Sequence, residues 1–324
     1  MIFSFKREVL HLTVLPFISL GAGTVLGLLI KYPQFQKLTD IISTTALVLL
    51  MLCIGIGIGI DESVVREFPK IGANCIVIAL SAIFFSVLLT FICEKTVLSL
   101  ENYSSSSDHM DTPDVDSNHP ASHLVWLMPA CLIAGLITGI IMRSTISSSF
   151  TNAAFTIALI ILYVCVGISQ GSNKEVFHNL RTLGFRILWL PFAILVGSIT
   201  GGFFSSLFLD IPMEIPVVSA CGMSFYSITG AYMTQTYGLA PGAYGFIVNL
   251  LREFITVLVM PLLIRISPGS PIAGGAAGDM DTMLAPVTKF VGINLSIVTL
   301  LTGTVLTFIV PILLPIMSNF IITL

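Results

Sequence analysis

The chain has 324 residues, 55% of them hydrophobic and 10% charged, with a mean hydropathy of +1.00. That composition reads as an all-α polytopic membrane protein, because helices satisfy every backbone group in lipid and are legible from hydropathy. A net charge of −3 spread over loops excludes a nucleic-acid footprint, and no phosphate loop, nucleophile elbow or zinc-protease motif is present.

Six apolar runs come first, at 10–30, 41–60, 71–93, 124–142, 150–170 and 183–209, each long enough to span. Lys6 and Arg7 ahead of the first run give the outline of a signal peptide. The repeat described below argues against cleavage, since the first span has an internal, uncleavable counterpart. The six cysteines (Cys53, Cys75, Cys93, Cys131, Cys165 and Cys221) sit inside apolar runs and read as small buried hydrophobes. The five histidines show no metal-ligand spacing, so no metal and no cofactor is expected. The stretch 94–123 is Ser-rich and acidic, and reads as a disordered tether.

That tether separates two copies of one unit. A shift of 112 residues lays Leu20–Gly72 on Leu132–Gly184 without a gap, with fifteen identities. A composition this biased gives roughly four or five by chance. Ala22, Gly23 and Gly27 match Ala134, Gly135 and Gly139; Leu50, Cys53, Gly55, Ile56 and Gly59 match Leu162, Cys165, Gly167, Ile168 and Gly171; Gly72 matches Gly184. Each copy has three spans, an odd number, so the two enter the membrane from opposite sides. This is an inverted three-helix repeat, an organisation common in secondary transporters. The Gly-x-x-x-Gly pairs read as close helix crossings. Gly55, Gly57 and Gly59 weaken the helix end before Asp61 and Glu62. Those acids read either as an interfacial cap or as a pathway lining on one copy only.

The last third breaks the pattern. Pro216–Gly238 is short, small and polar; Pro271–Gly292 is Gly-rich and carries Asp279 and Asp281. Each is followed by a full span, 242–265 and 293–321. Paired, Gly-interrupted segments are the best sequence pointer to a transport site, and half-helix N-termini there offer free N–H groups to an anion. The span between them holds Asn249, Arg252 and Glu253. An ionisable side chain at the bilayer centre costs at least ~2.5–3.5 kcal/mol on insertion scales. Asn249 and Glu253 share a helix face, whereas Arg252 lies about 100° round from Glu253 and points to other partners. A structural ion pair between helices is the plainer reading; a substrate or proton site is the favoured one.

The chain therefore divides into a first three-helix repeat (1–93), the linker (94–123), a second, inverted repeat (124–209) and a C-terminal transport core (210–324). About eight transmembrane helices plus two interrupted, re-entrant segments are expected. With the N-terminus outside, Lys31, Lys37, Lys95, Lys174, Arg181, Arg186, Arg265 and Lys289 fall in the cytoplasm, against Lys6, Arg7, Arg66, Lys70 and Arg143 outside. Eight against five favours both termini outside.

Gly222-Met223-Ser224-Phe225-Tyr226-Ser227-Ile228-Thr229-Gly230, then Asn249-Leu250-Leu251-Arg252-Glu253, then Gly278-Asp279-Met280-Asp281-Thr282, in this order and spacing, resemble the bacterial lysine exporter family, LysO. The resemblance is closest over about 200–292. It implies export of L-lysine and its analogue thialysine across the bacterial inner membrane, eight spans and both termini in the periplasm. It implies buried acids as the working groups, placed here at Glu253 and Asp281, with Asp61 or Glu62 as the N-terminal acid. L-lysine and the lipid bilayer are then the expected partners, and a homodimer stays open. Lysine carries two ammonium groups and one carboxylate, so its site needs about two anionic partners and one nest of donors. Glu253 with Asp281 supplies the first; the Gly-rich ends near Gly222–Tyr226, with Ser227 close by, or near Gly274–Gly278, supply the second. Arg252 either takes the substrate carboxylate or locks Asp279. Tyr226 reads as helix packing before ligand stacking. Proton antiport is the expected coupling, with Na⁺ as the alternative ion. The rivals are a carrier of another cationic amino acid, an amine or an organic anion; a channel; and an intramembrane aspartyl protease built on Asp279 and Asp281.

Overall fold

The computed structural model describes residues 18–29, 33–98, 100, 121–143, 148–172 and 183–323. Most of the 94–123 linker lies outside them. The described residues are helical, without strands. Ahead of the interrupted segments run α1 (Ile18–Leu29), α2 (Pro33–Ile60), α3 (Glu62–Thr96), α4 (Ala121–Ile141), α5 (Ser148–Ser172) and α6 (Trp189–Ser206). Then come α7 (Glu214–Ala220), α8 (Tyr226–Tyr237), α9 (Leu239–Ile266), α10 (Gly269–Gly275), a 3₁₀ turn (Ala276–Met280), α11 (Leu284–Val291) and α12 (Ser296–Ile322). Five helical stretches are long and apolar enough to cross a membrane, and three shorter apolar stretches lie in α1, α4 and α5. The protein is thus a multi-pass helical membrane protein.

The chain folds as two compact units that cut across the sequence segments. One comprises 1–71, 125–174 and 230–243; the other comprises 72–124, 175–229 and 244–324. The third helix of each repeat therefore belongs with the C-terminal core, not with the first two helices of its own copy.

In the first unit the two copies embrace each other. A Cβ on Gly23 would strike the backbone at Val164 and Gly167; one on Gly135 would strike Leu52 and Gly55. Gly27 meets Ile168, and Gly139 meets Ile56 and Gly59. Each contact recurs with both partners moved by 112 residues. Such reciprocity, in which i touches j and the equivalent of j touches the equivalent of i, is what a two-fold relation demands. Gly55 and Gly59 are required by these crossings, which answers their spacing more directly than a weakened helix end does. The charged stretch 61–70, outside the expected spans, continues α3 with Pro69 inside it.

In the second unit the same offset reappears. Ser86 of α3 and Ser198 of α6 are 112 residues apart, and their hydroxyl oxygens lie 3.0 Å from each other. Gly197 and Gly201 press against the backbone at Ser86 and Ala82.

Both expected interrupted segments are helix–break–helix. The first is α7, a turn and α8; the second is α10, the 3₁₀ turn and α11. Each closes on a glycine of positive φ, Gly238 (φ 101°) and Gly292 (φ 93°); α9 starts directly after the first, and a 3₁₀ turn (Ile293–Leu295) joins the second to α12. Glycine takes positive φ at a helix end without a Cβ penalty.

Candidate substrate and ion site

The two breaks are held on α9. At the first, Met223 (φ 47°) and Ser224 (φ 74°) take left-handed backbone without being glycine; at the second, Ala276 (φ 52°) does so. Such residues persist only where surroundings over-determine them, and they cluster at functional sites. The two breaks are hydrogen-bonded to each other, the Ala277 N–H donating to the Met223 carbonyl at 2.9 Å.

Three side chains of α9 do the fastening. Asn249 is fully buried; its Oδ1 accepts from the Ser224 N–H (2.8 Å), and its Nδ2 donates to the carbonyls of Ser219 (2.9 Å) and Gly245 (2.8 Å). It is a clamp on the first break. Arg252, 1% exposed, donates to the carbonyls of Ala273 (2.9 Å) and Gly274 (3.2 Å) at the end of α10, and to the hydroxyls of Ser198 (2.7 Å) and Ser86 (3.2 Å). Glu253, one turn beyond Asn249 and 2% exposed, accepts from the Thr282 hydroxyl at 3.0 Å through Oε1; its Oε2 is buried and unpartnered. Gly278 leaves room for this carboxylate, since a Cβ there would crowd Oε1. The expectation that Arg252 and Glu253 face different partners describes this geometry. The outer side of the same helix carries exposed Leu258 and Leu262, as a bilayer-facing surface does.

Asp279 is fully buried, and neither of its carboxylate oxygens has a hydrogen-bond partner. It lies over Gly275 and against Gly303 of α12, where any side chain at either glycine would collide with it. Asp281, expected as a buried acid, is exposed: it sits in the turn that follows, and its Oδ1 accepts from the Thr282 N–H. Asp279 lies first within electrostatic reach of Arg252, and Glu253, Asp279 and Asp281 lie within reach of one another. Tyr226 is buried at the start of α8 and packs edge-on against Phe246, with ring centroids 5.5 Å apart, which is the packing role. Ser227 is buried beside it. The Ser224 hydroxyl, at the same break, is buried without a partner.

Asp61 and Glu62 belong to the first unit and both are exposed, whereas the cluster on α9 belongs to the second. Glu62 pairs with Arg66 and Arg143. Among the described residues these are the ion pairs; the acids around α9 have none. Sequence reasoning missed Ser86, Ser198, Ser224 and Thr282. For the two repeat serines the signal existed, because the 112-residue offset extends past Gly72 and Gly184.

Fold and site together define a multi-pass helical membrane protein with an internal two-fold repeat and a core of two broken segments closed around buried carboxylates. The chain belongs to the family described as Lysine exporter LysO, whose model matches residues 17–107 and 129–318. It is 29% identical over 160 residues to an Escherichia coli protein named "Lysine exporter LysO", covering 49% of this chain and 53% of that one. It is 26% identical over 195 residues to a Haemophilus influenzae protein named "Putative lysine exporter", covering 59% of this chain and 96% of that one. The match thus spans about half the length of the Escherichia coli relative.

Proposed function

We propose that the protein is a secondary carrier that exports L-lysine, and with it thialysine, across the bacterial inner membrane in exchange for protons. Family membership and the names of the two relatives support the cargo. The observation that carries the mechanism is Glu253: a carboxylate closed off from solvent, held through one oxygen by Thr282, with the other oxygen unpartnered beside the junction of the two breaks. A buried carboxylate with a vacant acceptor is costly unless something binds there. A proton and a substrate ammonium are the two species that satisfy it in turn. Asp279, also unpartnered, supplies a second anionic position, and the N-terminal end of α8 with the Ser224 hydroxyl supplies donors for the substrate carboxylate.

Coupling is needed because moving one positive charge outward against an inside-negative potential costs ~2.3 kcal/mol per 100 mV. Exchange for an entering proton cancels that charge movement. The test is lysine efflux from proteoliposomes under an imposed pH gradient. Efflux that drives protons inward, and that Glu253→Gln abolishes while the protein still purifies as a folded species, is the expected result. Normal efflux by that variant removes Glu253 from the mechanism, and competition by ornithine, arginine or simple amines that exceeds lysine's reassigns the cargo.

A further inference from the structure

Among the described residues, Arg252 is the buried cation that the proposed exchange leaves without a task. Its four hydrogen bonds all go to neutral oxygens, and they join α9 to α3, α6 and α10. A guanidinium has five N–H groups. Nε gives one, one terminal nitrogen gives one and the other gives two, so four of the five are used within the protein. A substrate carboxylate needs two parallel N–H groups for the fork geometry. Arg252 has a single one left, so it cannot clasp a carboxylate without releasing α10 or the serines.

The place it occupies is informative. The carbonyls of Ala273 and Gly274 are at the C-terminal end of a half-helix, where the backbone unwinds into the 3₁₀ turn. In broken-helix carriers such carbonyl-rich ends are where a coupling cation is coordinated. Here a tethered guanidinium fills the position. The other end of α10 is matched with opposite charge: Glu94 accepts from the Ser267 hydroxyl at 2.8 Å and from the Gly269 N–H. An acid at the start and a base at the end complement the half-helix dipole, so both ends are satisfied from inside the chain.

We infer that Arg252 is a resident cation: a positioning residue that pins the end of α10 to the third helices of both repeats, and that takes the site a coupling Na⁺ would otherwise need. Because the charge is covalently held it cannot be exchanged, and the mobile ion is left to the acids. The inference rests on the carrier reading.

The experiment is lysine exchange in proteoliposomes, with Na⁺ present or fully replaced by choline, for the wild type, Arg252→Lys and Arg252→Ala. The wild type is expected to run within twofold in the two media. Arg252→Lys places a point charge where a planar fork spanned three elements; it is expected to lose tenfold or more in maximal rate, with the apparent KM for lysine and its competition by cadaverine unchanged. Arg252→Ala is expected to be inactive and to regain transport in part with millimolar guanidinium. A Na⁺ requirement in the wild type overturns the inference without the use of any variant. So does Arg252→Lys with a KM for lysine raised tenfold while cadaverine competes as before, which would make Arg252 the carboxylate binder. So does Arg252→Lys at wild-type rate. Wild-type protein that exchanges no lysine in either medium defeats the carrier reading instead.

Discussion

At the residue scale, α9 assigns unlike tasks to three neighbouring polar side chains. Asn249 spends its acceptor and both donors on backbone groups at the first break and in its own helix. Asn249→Ala strands the Ser224 N–H in a dry interior, while the Ser219 carbonyl keeps the Gly222 N–H as its donor. A stranded group costs about 1–3 kcal/mol, so the thermal midpoint in detergent is expected to fall by several degrees. An unchanged midpoint would show that Asn249 does not hold the break. The sequence made these residues conspicuous, because polar side chains in an apolar run need a reason, and spacing put Asn249 and Glu253 on one face. It could not separate clamp from site. The partners that decide the matter are backbone atoms 25 and 30 residues distant, and backbone carries no sequence signal. The acid pair shows the same limit. Asp279 and Asp281 are two positions apart in a 3₁₀ turn, so one is buried and the other exposed, and a motif that contains both does not say which.

At the element scale, identical glycines in the two copies are kept for reasons that are sometimes shared and sometimes not. Gly55 and Gly167 are repeat mates at equivalent crossings, each facing a carbonyl of the other copy's first helix. Overpacking costs about 1–3 kcal/mol. Gly55→Ala and Gly167→Ala are expected to lower stability by that amount and by matching degrees; a large difference between them would contradict the reciprocal packing. Gly72 and Gly184 also match, yet a Cβ meets nothing at either position, and Gly184 alone has positive φ (82°). Gly72→Ala, inside α3, is expected to be neutral or to stabilise by up to about 1 kcal/mol. Gly184→Ala is expected to cost about 1–3 kcal/mol, because positive φ with extended ψ is essentially restricted to glycine. Denaturation midpoints of the pair decide this. Self-comparison of the sequence exposes the repeat plainly, since small residues at fixed spacing survive as identities. It cannot tell a crossing from a turn, because both select glycine.

At the scale of the whole molecule, hydropathy marks the apolar helices, five of them long enough to cross a membrane among the described residues, and the repeat gives their relation, while the compact units follow neither. The third helix of each copy leaves its siblings for the C-terminal core. What draws it there is polar and distant: two serines met by an arginine from α9. Such a tie joins residues 54 and 166 positions apart and is invisible to any local pattern. We propose eight crossings, which would place both termini on one side, and the periplasmic side from the balance of Lys and Arg. Alkaline phosphatase fused to the C-terminus is then expected to be active, and a fluorescent protein fused there dark; the opposite readout reverses the orientation.

Ser86 and Ser198 are equivalent by the repeat, yet their protons are not equivalent. Ser86 donates to the Ile194 carbonyl at 3.2 Å, so in the contact between the two hydroxyls Ser198 is the donor. Through the 112-residue offset Ile194 corresponds to Ala82, which packs against Gly201. A guanidinium resting on such a pair meets two positions that are equal by descent but unequal by geometry, 2.7 Å from Ser198 and 3.2 Å from Ser86, so the repeat is broken at the very contact where its copies meet.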